Sequence, residues 1–126
     1  MITLTKPEWI LMNTLWEKSP LTLSGVIEAV GDQLDWKYTT YSTYLKRLCD
    51  KGVARYEMLG RDKFYYPAID RNKCIRAESE SILDRISGSG LKDLLVCMIK
   101  ESSLSSEDMQ ELKELFDELA DKENEK

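Results

Sequence analysis

The sequence predicts a mainly α-helical fold with one small β-hairpin. Three observations lead there. Apolar residues recur at spacings of three and four through most of the chain, residues 53–69 are rich in aromatic and β-branched side chains, and most of the breaks fall at glycine or proline. A length of 126 residues suits one compact domain or two small lobes sharing a core. Apolar residues at 42% and charged ones at 33% describe a globular chain rather than a disordered one.

The first helix has a full start signal. Thr5-Lys6-Pro7-Glu8 is a capping box, with Pro7 in the tolerant first turn and Leu4 placed to staple against Trp9. Trp9, Met12, Leu15 and Trp16 then form an apolar stripe that ends near Lys18, before Ser19-Pro20. A second short helix starts at Thr22 and turns Val26, Ile27 and Val30 inward until Gly31. Trp36 reads as a packing anchor ahead of a third helix, from about Tyr38 to Lys51. Its core face is Tyr41, Tyr44, Leu45 and Leu48, and Gly52 closes it. The opposite face shows Thr39, Thr40, Ser42, Thr43, Lys46 and Arg47.

Residues 53–58 and 64–69 read as two strands around a polar, glycine-bearing stretch, 59–63. Three short helices followed by a hairpin is the order of a winged helix-turn-helix, whose third helix lies in the major groove of DNA.

Beyond residue 70 the chain reads as all helix. Asp70 caps a helix running to about Ser87, broken by Gly88-Ser89-Gly90. Residues 91–101 are apolar on most sides, which predicts a buried helix with Cys97 as a buried small hydrophobe. Ser105 caps the last helix, with Asp108 as box acid and Leu104 and Met109 as staple. There Met109, Leu112, Phe116 and Leu119 form a seam that Leu115 widens. So small a lobe cannot bury all of this apolar face alone, and dimerisation is the economical reading; the alternative is a lobe folded back on its own winged helix. The expected division is therefore a winged helix over 1–70 and a helical dimerisation lobe over 71–126. The dimerisation residues are expected to be Ile82, Leu83, Ile86, Leu94, Leu95, Met98, Met109, Leu112, Leu115, Phe116 and Leu119.

Composition removes most chemistry. With no histidine there is no imidazole acid, base or metal ligand, and the three cysteines form neither a CxxC nor a CxC pair. Phosphate-binding glycine motifs are absent, so neither an enzyme nor a cofactor or metal is expected. The longest apolar run, residues 94–99, is far too short to span a membrane, and the first residues lack a signal-peptide pattern, so a cytoplasmic protein without membrane insertion is expected.

The net charge of −5 is unfavourable for nucleic acid, yet it is unevenly spread. Residues 37–63 hold seven basic side chains (Lys37, Lys46, Arg47, Lys51, Arg55, Arg61, Lys63) against Asp50, Glu57 and Asp62. A basic segment in an acidic chain suggests a phosphate-binding face, with an ordinary solvated surface as the alternative. Element order and charge agree on double-stranded DNA. The expected contacts are Lys37, Thr39, Thr40, Ser42, Thr43, Lys46 and Arg47 on the third helix, with Arg61 and Lys63 at the hairpin tip.

The motifs also carry a resemblance. Pro7-Glu8-Trp9…Met12…Leu15-Trp16, Ser19-Pro20-Leu21-Thr22, Asp35-Trp36 and Thr40…Thr43…Leu45…Arg47-Leu48…Lys51-Gly52 resemble the penicillinase repressor (BlaI/MecI/CopY) family. Arg61…Phe64-Tyr65-Tyr66-Pro67, Ala77-Glu78-Ser79…Ile82-Leu83-Asp84-Arg85 and Leu104-Ser105…Glu111-Leu112…Leu115 extend the match over nearly the whole chain. The resemblance implies a homodimeric winged-helix repressor of β-lactam resistance genes on a palindromic operator. It also implies release by a membrane-bound sensor protease or, in the copper branch, by metal.

Three departures bear on these expectations. The tail has no cysteine, which disfavours copper sensing. Cys97-Met98 stands where the family is cut between Asn and Phe, making it the candidate cleavage site. Tyr38-Thr39-Thr40 replaces a common Pro-Lys-Thr, removing one lysine. Two other readings stay open: a winged-helix protein-interaction module, and a regulator answering to a metal or redox signal.

Overall fold

The computed structural model describes residues 2–86 and 89–124. Its elements are α1 (Lys6–Glu17), α2 (Leu23–Val30), a 3-10 turn (Gly31–Gln33), α3 (Tyr38–Asp50), β1 (Ala54–Leu59), β2 (Asp62–Pro67), α4 (Arg71–Ile86), α5 (Leu91–Glu101) and α6 (Ser106–Asn124). The fold is mainly α with a small hairpin, as the sequence predicts. Two compact units result, Met1–Ile82 and Leu83–Lys126, divided within α4.

In the first unit the capping box forms in both directions. Thr5 Oγ1 accepts from the Glu8 N–H at 3.4 Å, and Glu8 Oε1 accepts from the Thr5 N–H at 2.9 Å. α1 packs on α2, α3 and β2, so it buries more than a single stripe. Leu11, Met12 and Leu15 are fully buried, while Trp9 and Trp16 are half-buried and meet at a tilt of 57°, with ring centroids 6.0 Å apart. The predicted stripe misses Leu11 because one-face periodicity describes a helix with one neighbour, and α1 has three.

Around α1, Val26 and Val30 of α2 and Tyr41, Leu45 and Leu48 of α3 complete the core with Val53. Thr22 caps α2 by accepting from the Gly25 N–H at 3.1 Å. α3 ends in a Schellman motif: Gly52, at φ +79°, donates to the Cys49 carbonyl at 3.0 Å and Val53 donates to Leu48 at 3.1 Å.

The strands are longer than predicted at their shared end. Pairing runs from Ala54↔Pro67 to Leu59↔Asp62, leaving only Gly60-Arg61 as the turn. Gly60 takes the first turn position at φ +67°, so a two-residue connection closes and polar Asp62 and Lys63 join the ladder. Leu21, ahead of α2, exchanges backbone hydrogen bonds with Tyr65 at 3.1 and 2.8 Å, anchoring the hairpin on the helices.

The second unit corrects an expectation. The helix over 91–101 forms, but no residue of α5 is buried: Leu94 is half-buried, and Leu95, Met98 and Cys97 are exposed. Two helices and the last turn of α4 are too few elements to enclose a helix that is apolar on most sides. The buried thiol is Cys74 in α4, not Cys97. Ser87 and Gly88, where the sequence ends and breaks α4, lie outside the described residues; Gly90 is the N-cap of α5. Ser105 caps α6 by accepting from the Asp108 N–H at 3.0 Å.

Candidate nucleic-acid interface

α3 offers one face to the core and one to water because its apolar residues stand three and four apart. With Tyr41, Leu45 and Leu48 buried, Lys37, Thr39, Ser42, Thr43, Lys46 and Arg47 are exposed and Thr40 is half-buried. The Thr43 hydroxyl donates to the Thr39 carbonyl at 3.0 Å, leaving its oxygen to accept from an incoming donor. Trp36 stacks on Tyr44 with ring centroids 4.3 Å apart, and the Arg47 guanidinium lies 4.7 Å from the Tyr44 ring centroid. Trp36 is thus a packing anchor that backs the ring beneath Arg47.

The hairpin, or wing, puts Arg61 in its turn and Lys63 in β2, with Lys63 Nζ 4.6 Å from the centroid of the Tyr56 ring. A cleft of about 500 Å³ separates wing from helices, with Tyr38 and Ser42 on the α3 side and Arg61, Asp62 and Lys63 on the wing.

Ion pairing sorts the seven basic side chains of residues 37–63. Lys51 is paired with Glu8 at 2.8 Å and Arg55 with Glu57 at 2.9 Å. Among the described residues Lys37, Lys46, Arg47, Arg61 and Lys63 form no ion pair with an acidic side chain. Five cations face solvent on α3 and the wing, against the unpaired Asp50 and Asp62. The acid that gives the chain its net charge lies mainly in residues 71–126.

The thiols offer little chemistry here. Burial pushes the Cys49 thiol up, with Asp50 adding to the effect and Lys63 opposing it; burial and then Asp70 raise Cys74. Both remain protonated near neutrality, the poor form for attack or metal binding. Among the described residues no group of three or more cysteine and carboxylate side chains is arranged to hold a metal ion.

The profile of the penicillinase repressor family matches residues 4–118. The chain belongs to the penicillinase repressor family. It is similar to the penicillinase repressor of Bacillus licheniformis, 29% identical over 108 residues that span 86% of this chain and 84% of that protein. It is also similar to the methicillin resistance regulatory protein MecI of Staphylococcus aureus (strain N315), 23% identical over 113 residues, 90% and 92% of the two chains. A solved MarR family transcriptional regulator from Silicibacter pomeroyi overlays with a TM-score of 0.49 at 16% identity, covering 96% of this chain and 73% of that one. The protein is a transcriptional repressor, not an enzyme.

The repressor's second unit displays its apolar residues. Leu91, Leu95, Val96 and Ile99 of α5 and Phe116 of α6 line a groove of about 340 Å³. Met98, Met109, Leu115, Phe116 and Leu119 are each about half exposed, and Leu83 is exposed; Ile86, Leu94 and Leu112 are half-buried, as is Ile82, the last residue of the first unit. Cys97 and Met98 show their side chains to solvent while their backbone stays helical. No helix among the described residues is long and apolar enough to cross a membrane.

Sequence reasoning did not single out Tyr38, Thr22, Ser24 and Met58 as cleft residues. Tyr38 had a signal, an aromatic opening a helix on its polar side. The others are gathered only by the docking of the hairpin against α2.

Proposed function

We propose that the repressor works as a homodimer on a palindromic operator in double-stranded DNA. Residues 1–70 bind the operator and residues 71–126 pair the two copies. The observation that carries this is the set of five unpaired cations on α3 and the wing. Phosphates are neutralised by such groups, and the displaced counterions drive binding. α3 enters the major groove, where Thr39, Thr40, Ser42 and Thr43 read base edges, Lys37, Lys46 and Arg47 meet phosphates, and Arg61 and Lys63 grip the flanking backbone. The half-exposed seam of α5 and α6 is covered by the partner, which sets two half-sites roughly one helical turn, about 10 bp, apart.

The relatives' names, a penicillinase repressor and a methicillin resistance regulatory protein, support assigning the reading to β-lactam resistance genes. To this we add a membrane-bound sensor protease as the releasing partner and the cytoplasm as the compartment. A protease needs extended backbone, so a cut at Cys97-Met98 requires local opening of α5, a helix with few buried contacts to oppose it. The cut separates α6 and most of the seam from the DNA-binding unit, and uncoupled half-site contacts then dissociate.

A gel shift and footprint with DNA upstream of the repressor's own gene test the reading. Paired half-sites about 10 bp apart support it, and no shift or a single half-site counts against it. Mass spectrometry of the repressor from cells exposed to a β-lactam tests release: a fragment ending at Cys97 is expected, and an intact chain freed from DNA points to a different signal.

A further inference from the structure

Between α3 and the wing lies a notch of about 200 Å³, bordered by Ser42, Lys46 and Asp50 on α3 and by Tyr56 and Lys63 on the strands, with the half-buried Cys49 thiol beside them. Lysines from two separate elements line one small recess, and neither has an acidic partner among the described residues. Two lysine side chains bordering one concavity raise its positive potential and favour an anion there. Lys63 is held near the recess, because its Nζ sits on the face of the Tyr56 ring at 4.6 Å. Asp50 opposes an anion and tempers its affinity.

We propose, resting on the reading of α3 and the wing as the DNA-binding face, that this notch holds one particular backbone phosphate of the operator. Lys46 grips it from the helix side and Lys63 from the wing side. Tyr56 is the positioning residue that keeps Lys63 in place. The wing is thereby fixed to α3 through a shared phosphate, so that the register of the helix in the major groove and the seat of the wing are set together.

The test is a phosphate scan with the full chain on the footprinted duplex, each phosphate in turn replaced by an uncharged methylphosphonate. One phosphate per half-site is expected to weaken wild-type binding by roughly three- to tenfold when neutralised. On that neutralised DNA, Lys46→Ala and Lys63→Ala cost nothing further. Tyr56→Leu weakens binding less than Lys63→Ala, only on DNA that carries the phosphate, and Tyr56→Phe restores it because the ring face is kept. Asp50→Asn tightens binding about twofold, a gain that misfolding cannot imitate and that vanishes on the neutralised DNA. If the two lysines track different phosphates, or their losses persist on every neutralised duplex, the shared phosphate is overturned while DNA binding by α3 and the wing stands. If wild type binds no DNA, both are overturned.

Discussion

Lys51 Nζ stands 2.8 Å from both carboxylate oxygens of Glu8, tying the C-cap of α3 to the first turn of α1. Glu8 is 1% exposed, so the pair fixes α3 to the centre of its unit through a charge that water cannot reach. Lys51→Ala leaves that carboxylate buried without a cation. The expected cost is about 2–4 kcal/mol, a little below a fully buried pair because the lysine side chain is itself 38% exposed. Urea unfolding measures it, and a loss under about 0.5 kcal/mol contradicts it.

The same pair makes stability depend on pH. Burial raises the Glu8 carboxyl, but hydrogen bonds from Lys51 and from the Thr5 N–H, with the Lys51 charge, outweigh it and hold the group below its usual range. Its contribution is therefore complete above the unfolded value, about 4.3, and is lost as pH falls through the lower folded value. Glu8→Gln should be less stable than wild type near neutrality and show a flatter acid limb. An acid limb as steep as wild type's would contradict the assignment.

Base reading and phosphate gripping separate by mutation. Thr40→Ala and Thr43→Ala are expected to change which operator sequence is preferred, by about 1 kcal/mol or more at the base concerned, in a binding selection from randomised half-sites. Arg61→Ala is expected to weaken all sequences alike. Unchanged preference in both threonine variants contradicts placing α3 in the major groove.

The thiols differ in access. Cys97 is exposed, Cys49 half-buried and Cys74 1% exposed. Mass spectrometry after native alkylation should show Cys97 modified first and Cys74 only once the chain unfolds. Early modification of Cys74 contradicts the packing of α4.

Phe116 is half exposed on α6 and lines the groove with α5, so Phe116→Asp costs a single chain little while placing an ion in any interface there. Sedimentation should show a monomer, with operator affinity reduced because half-site contacts become independent. An intact dimer for this variant sinks the proposed pairing surface.

Local signals in the sequence were enough for the start of α1, the end of α3 and the order of elements. Thr5 with Glu8, and Gly52 after a helical stripe, specify hydrogen bonds within a few residues. What lay beyond reach depends on distant partners. Nothing near Lys51 marks it as the counterion of a residue forty-three positions away, and nothing near Leu21 announces its pairing with Tyr65. The buried reading of α5 failed for a related reason: apolar periodicity says which residues seek cover, not whether one chain has enough elements to supply it. In the candidate interface, residue types and helical phase located the polar face of α3, but Thr22, Ser24 and Met58 join it only through tertiary packing.

The most direct test of the central claim is the salt dependence of operator affinity, measured by fluorescence anisotropy for wild type and for the Arg61→Ala/Lys63→Ala double variant. Each lost phosphate contact removes about 0.9 from the slope of log affinity against log salt, so the account predicts a slope shallower by roughly one to two per protomer, with sequence preference retained. A double variant with the wild-type slope and affinity would contradict the assignment of the wing to the operator-binding surface.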